Sequence, residues 1–312
     1  MTGRVLVLGA AGRIGHAAAA AFRSTGWTVR SLMRPGAAAR APSGTQVIEA
    51  DALDRAAVIE AARDTDVVLH ALNPTYTQWE RLALPLTYAA IAAAEENRAT
   101  LMFLGNVYNY GSGMPPVLDE NTPMRPTSRK GRLRVAIEER MREAAERGVQ
   151  VLILRAGDFY GGGRGSWFDL VIARDLARGR LTFPGPLGVV HEWAYVPDLA
   201  AAVADLAAAR QRLGLFESFG FPGHAVTGED FAAAIRRALR RELQVKPMSW
   251  WLIHLLRPVI PLSRELSEIA YLWNVPHRID GSRLRSAIRR IPHTAFDEAV
   301  KQALRELGIA AA

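Results

Sequence analysis

The chain has 312 residues, 49% of them hydrophobic and 22% charged, with a formal net charge of +8. This mix suits one large globular domain, or a domain with an appendage, and leaves room for a sizeable core. Cysteine is absent, which excludes disulfides and thiolate catalysis and fits a reducing cytoplasm, the expected location.

The chain opens on RVLVLGAAGRIG, residues 4–15. A short apolar strand runs into glycines at positions 9, 12 and 15 and then into an Ala-rich helix start. In a strand–turn–helix crossing, Gly9 permits the tight turn and Gly12 lets backbone approach a pyrophosphate. Gly15 then lets the helix pack against the sheet. The helix N-terminus adds free N–H groups and the positive end of its dipole, so Ile14 and its neighbours are candidate phosphate contacts.

Further strands are expected at 27–33, 46–49, 67–70, 100–104 and 150–154, alternating with helices at 54–63, 79–95 and 131–147. That alternation predicts an α/β doubly wound parallel sheet, a Rossmann fold, with ligands at the carboxyl ends of its strands. Beyond Arg155 the rhythm loosens into a glycine loop at 161–165, a helix at 166–178 and a Pro/Gly-rich stretch at 180–196. Helices follow at 197–209 and 231–241, the second behind a Thr227/Asp230 capping pair, and Thr294/Asp297 repeats the pair before a last helix. The expected division is a cofactor domain over 1–160 and a smaller, mostly helical substrate-binding part over 161–312, with segments returning to the sheet. The aromatic, proline-broken stretch 250–262 reads as part of a lid with Trp193 and Trp273, its alternatives being a homodimer contact or a membrane-surface patch.

No run approaches the ~20 apolar residues that span a bilayer. Arginine clusters at 236–241 and 283–290 read as solvated helix faces, so neither a transmembrane segment nor a nucleic-acid partner is expected. No His/Cys/Asp/Glu spacing suggests a metal site.

Together these residues resemble the short-chain dehydrogenase/reductase superfamily in its extended, epimerase-like branch. The resemblance rests on GAAGRIG, EADALD from Glu49, DVVLHAL from Asp66, NVYNYG from Asn106 and ENTPMRP from Glu120. RAGDFYGGG from Arg155 and WAYVPDLA from Trp193 extend it, in the family's order, to about residue 209. It implies an NAD(P)-dependent enzyme acting on a small carbonyl, alcohol or sugar-like substrate. It also implies that Asp51 and Ala52 lie beside the adenine, Asn73 near the ribose and nicotinamide, and Asp158, Tyr160, His191 and Trp193 near the substrate.

The departures carry as much information. The family's Tyr-x-x-x-Lys-x-x-x-Glu falls on Lys130, Arg134 and Glu138, and its Ser on Asn106. The expected catalytic set is therefore Lys130, Arg134 and Asn106, with Tyr108 as an alternative phenol. Lys130 suits proton transfer only if burial and a cationic neighbour favour its neutral amine. Met33 stands where NAD-preferring relatives carry an acid, and Arg34 and Arg13 can fork onto a 2′-phosphate. NADP is the expected cofactor, with NAD second. The alternatives are an NADP(H)-binding regulator without turnover and a non-redox lyase or isomerase that uses Lys130.

Overall fold

The computed structural model describes residues 2–309. Its first half alternates strand and helix: β1 (Arg4–Leu8), α1 (Arg13–Ser24), β2 (Thr28–Met33), β3 (Gln46–Glu49), α2 (Arg55–Ala61) and β4 (Val67–His70). Then come α3 (Trp79–Asn97), β5 (Thr100–Gly105), the two-residue β6 (Val117–Leu118), α4 (Arg129–Glu146) and β7 (Val151–Arg155). The second half comprises β8 (Asp158–Tyr160), β9 (Arg180–Phe183), β10 (His191–Tyr195), α5 (Val196–Ala209) and β11 (Phe216–Gly220). It continues with β12 (His224–Val226), α6 (Gly228–Leu239), β13 (Gln244–Pro247), α7 (Trp250–Leu255) and α8 (Pro261–Ser267). The chain closes on β14 (Arg278–Ile279), α9 (Ser282–Ala287) and α10 (Phe296–Glu306).

A seven-stranded parallel sheet runs in the order β11-β7-β5-β4-β1-β2-β3. Its inner strands read VLVL, VVL, LMFL and VLIL because helices cover both faces, and those side chains are buried on either side. The sheet reverses its winding direction between β1 and β4, so a crevice opens where the glycine turn and Asn73 emerge.

The sheet has one strand more than the hydrophobic pattern indicates. FESFG in β11 pairs along β7 at the edge, in register from Phe216 opposite Val151 to Gly220 opposite Arg155. Only Phe219 and Gly220 of the strand are buried, so its sequence lacks a strong apolar run. With α5, which packs on α1, and α9, which packs on β11 itself, this strand returns from the second half to the main layer.

The expected helix at 166–178 is instead a π-turn at Phe168–Ile172 and a 3₁₀ turn at Leu176–Arg178. The Asp169 carboxylate accepts from the N–H groups of Gly165 and Ser166 and from the Ser166 hydroxyl, which caps the start of the first of these turns. Thr227 and Asp230 form the expected capping box on α6. Thr294 does not cap α10: its N–H and hydroxyl both donate to Asp198, 96 residues earlier, at 2.6 and 2.8 Å.

An aromatic core fills the second half. Tyr160, Trp193, Phe231 and Trp273 are buried within it. The four-tryptophan lid is therefore corrected: Trp193 and Trp273 are core residues, Trp250 is half-buried with its indole N–H on the Pro184 carbonyl, and Trp251 points to solvent.

Candidate cofactor and substrate site

The glycine turn has the shape its spacing implies. Gly9 has φ +88°, a left-handed conformation that a side chain would strain, and its carbonyl accepts from the Gly12 N–H at 2.9 Å. A Cβ on Gly15 would collide with the Gly9 carbonyl. A Cβ on Gly12 would meet only that carbonyl, at 3.2 Å, so its other side is open. No side chain caps α1 and no acid stands in its first turn. The residues present therefore fit a pyrophosphate over Gly12, Arg13 and Ile14.

At the end of β2, Met33 is buried and Arg34 is exposed. Glu49 of the adjoining strand is turned to the Gly36 N–H at 2.9 Å. Arg13 leans the other way, its guanidinium donating to the Gly161 carbonyl at 3.4 Å and its stem lying against the Gly162 backbone. The structure thus separates the two arginines that the sequence grouped. Asp51 is exposed and holds its own turn by accepting from the Leu53 N–H, and Ala52 is buried beside it.

The second group of residues gathers where β4, β5 and β7 end. Asn106 follows β5, and its side chain accepts from the Tyr108 N–H at 3.1 Å, starting a short 3₁₀ turn. That turn presents Tyr108, whose hydroxyl lies 2.9 Å from that of Tyr76. Burial pushes Tyr76 up to about 12 and Tyr108 well above the usual phenol range, so both keep their protons at neutral pH.

Helix α4 begins behind a Ser128 cap, with the Ser128 hydroxyl accepting from the Gly131 N–H at 3.0 Å. The four-residue spacing does put Lys130, Arg134 and Glu138 on one face. Glu138 is structural: it takes a forked pair of bonds from Arg155, at 2.9 and 2.7 Å, and a third from Asn109. Arg134 stacks over Trp79 and Phe103, with centroid distances of 4.7 and 5.3 Å. Its Nη1 donates to the Leu104 carbonyl while its Nε has no partner. It lines a small crevice with His70, Asn73, Pro74 and Trp79.

Lys130 is 3% exposed and has surroundings that the sequence reading missed. Its ammonium donates to Glu265 and, at 3.1 Å, to Glu268, both carried by the α8 segment. The cationic neighbour expected to free its amine is replaced by two carboxylates. Burial pushes Glu265 and Glu268 up, but hydrogen bonds and charge from Lys130 outweigh it and hold both below the usual carboxylate range. The only signal in the sequence is the pair of acids three apart in a basic, apolar stretch, and nothing local ties them to Lys130.

Across the site, Asp158 in β8 lies beside β10, and its carboxylate meets His191 Nε2 at 2.8 Å. The imidazole stacks on Trp273 at 4.5 Å and 11°, and its Nδ1 has no partner. Asp158 keeps 15% of its side chain exposed. Tyr160 and Trp193 do not wall a pocket; both have no exposed surface, and the Tyr160 hydroxyl is turned to His224 at 2.9 Å. Glu192 is buried and accepts from the Gly223 and Ile279 N–H groups, so it ties three segments together. Among the described residues no group of three or more His, Asp or Glu has a metal-binding arrangement.

A parallel sheet with its glycine turn at the switch point and polar side chains at the ends of β4, β5 and β7 defines a dinucleotide-binding α/β protein. The profile of the NAD dependent epimerase/dehydratase family matches residues 5–216, and the chain belongs to that family. A 3-diazoavenalumate denitrifying reductase from Streptomyces sp is 28% identical over 295 residues, covering 88% of this chain and 96% of that one. Among solved structures, a nucleoside-diphosphate-sugar epimerase from Pseudomonas aeruginosa superposes with a TM-score of 0.74 at 22% identity, covering 98% of both chains. A UDP-glucuronic acid 4-epimerase from Bacillus cereus, in complex with UDP-4-deoxy-4-fluoro-glucuronic acid and NAD, gives 0.76 at 17% identity, covering 98% of this chain and 99% of that one. These two share the fold with this chain.

Proposed function

We propose that the protein is an NADP(H)-dependent oxidoreductase acting on a small carbonyl, alcohol or sugar-like molecule with a non-standard catalytic set. The observation that carries this reading is Arg134. A guanidinium without a carboxylate partner, its Nε unpaired, lines the crevice beside Asn73 one helical turn after Lys130. It is suited to hold ribose hydroxyls, with Asn73 alongside. Gly9, Gly12, Ile14 and Gly15 hold the pyrophosphate, Asp51 and Ala52 flank the adenine, and Arg34 holds the 2′-phosphate. Arg13, directed to the Gly161 carbonyl, braces the pyrophosphate turn.

The nicotinamide, when bound, supplies or accepts hydride. This chain orients the substrate and manages its proton. Lys130 is paired with Glu265 and Glu268 and lacks the surroundings that would favour a neutral amine, so its part in proton transfer is the first point to test. Tyr108 offers a protonated phenol, Asn106 a hydrogen-bonding amide, and Asp158 a carboxylate steadied by His191 that can take a hydroxyl proton as hydride leaves.

A second reading is favoured by the relative named as a denitrifying reductase of a diazo compound. Hydride added to the terminal nitrogen of an arenediazonium gives an aryldiazene, which loses N₂ and leaves a C–H bond. The balance is ArN₂⁺ + NADPH → ArH + N₂ + NADP⁺. Adding the hydride needs no acid on a substrate oxygen, which suits a site with Lys130 in the phenol's place.

The test is NADPH oxidation against aldehydes, ketones, nucleotide sugars and one phenolic arenediazonium, with calorimetry of NADPH binding alongside. Consumption with a carbonyl supports the first reading, and N₂ release supports the second. Tight NADPH binding with no consumption across the panel overturns both and leaves a cofactor-binding regulator.

A further inference from the structure

Helices α7 and α8 form a short hairpin around Pro258. The hairpin turns six large apolar side chains to solvent. Val259 is 78% exposed, Trp251 70%, Leu255 66% and Leu262 51%, with Leu252 and Ile260 beside them. The other exposed large apolar residues, such as Tyr88, Leu170 and Leu215, are scattered singly along the chain. A contiguous patch of this kind marks an interaction surface.

Charge decides what it meets. The two acids of this stretch, Glu265 and Glu268, are turned inward onto Lys130 and Arg129. Its bases stay outside: Arg257 is exposed, and the Arg264 side chain is 54% exposed while its Nε touches Glu265. The outward face is therefore apolar and cationic, on a chain of net charge +8. A second copy seated there would set like charges together. An anionic lipid surface instead offers both an apolar boundary and negative headgroups.

We propose that the α7–α8 hairpin seats the protein on anionic membrane surfaces. Trp251, Leu255, Val259 and Leu262 enter the headgroup–acyl boundary while Arg257 and Arg264 meet the headgroups. Among the described residues no helix is long and apolar enough to cross a membrane, so the attachment is peripheral and reversible. The inward ion pairs hold α8 against α4, so the patch is presented from a fixed base.

The test is flotation of the full chain with phosphatidylcholine vesicles, and with vesicles containing one part phosphatidylglycerol to three of phosphatidylcholine. At low salt the protein floats with the anionic vesicles, about tenfold more than with neutral ones, and added salt releases it. A Trp251→Ser/Leu255→Ser/Val259→Ser variant with an unchanged melting curve stays at the bottom, and Arg257→Glu weakens only the anionic preference. Three results overturn the proposal. They are no flotation of the parent, equal flotation of the triple variant, and a dimer by light scattering that the triple variant converts to monomer. NADPH affinity, measured on the same samples, is independent of these outcomes, so failure here is distinguishable from failure of the oxidoreductase reading.

Discussion

Lys130 Nζ lies 3.1 Å from Glu268 Oε2, an ion pair between positions 138 residues apart, and the Lys130 backbone N–H donates to the same carboxylate at 3.0 Å. With Glu265 as a second acceptor, the α8 segment is sewn onto the first turn of α4. The position that the family resemblance assigns to a phenol is thereby a buried cation whose partners come from a different part of the chain.

Replacing Lys130 by Met leaves Glu265 and Glu268 partly buried without their main partner. Removing one member of a buried ion pair costs about 3–5 kcal/mol, so urea unfolding should show a loss of that order. Both carboxylates are held below their usual range in the fold, so their contribution is present above that range and is lost as pH falls through the lowered values. Lys130→Met should therefore also flatten the acid side of the stability profile. Where a substrate is turned over, the chemical rate should drop by about 10²–10⁴ if Lys130 handles the proton. Unchanged turnover moves that role to Tyr108.

Glu192 gives a pH signature of the opposite sign. Burial pushes its carboxyl up from 4.5 to about 7, against two backbone N–H donors. Between those values the folded protein holds a proton that the unfolded chain has released, so this residue's contribution to stability falls as pH rises across that window. His70 and His277, pushed down to about 3 by burial, add a loss of stability as pH falls below 6.5. Subtracting the profile of a Glu192→Gln variant from that of the parent isolates the Glu192 slope. Parallel profiles would contradict it.

Cofactor choice rests on Arg34. Calorimetry should give tighter binding of NADP than of NAD. Arg34→Ala should erase most of the gap, at roughly the 1.5–3 kcal/mol of a charged hydrogen bond. Arg13, bonded to the Gly161 carbonyl, should affect both cofactors alike when replaced by Ala. Equal affinities in the parent protein would refute the NADP assignment.

Asp158→Asn preserves shape and keeps an oxygen for the His191 bond, so unfolding should change little. If the carboxylate takes the substrate's proton, kcat falls by about 10²–10⁴ while NADPH affinity holds. A change confined to KM would instead make Asp158 a substrate-binding group.

What the sequence determined by itself was whatever depends on neighbours along the chain. The glycine spacing at 9, 12 and 15 specifies a turn through backbone geometry alone, and the structure keeps it. Apolar runs alternating with helical periods specify a parallel layer, because strands covered on both faces carry side chains of one kind. The spacing of four likewise placed Lys130, Arg134 and Glu138 on one helix face before any partner was known. Tertiary structure decided what those side chains meet. Thr294 has a capping pattern but bonds Asp198, since a distant carboxylate competes with the local one. Trp193 is buried and Trp251 is 70% exposed, and composition does not distinguish them. The edge strand β11 exists because β7 offers it a row of backbone groups, and its own residues carry little apolar pattern. The carboxylates on Lys130 come from a segment brought over by the fold, so whether that position holds a free amine or a paired ammonium is settled only in three dimensions.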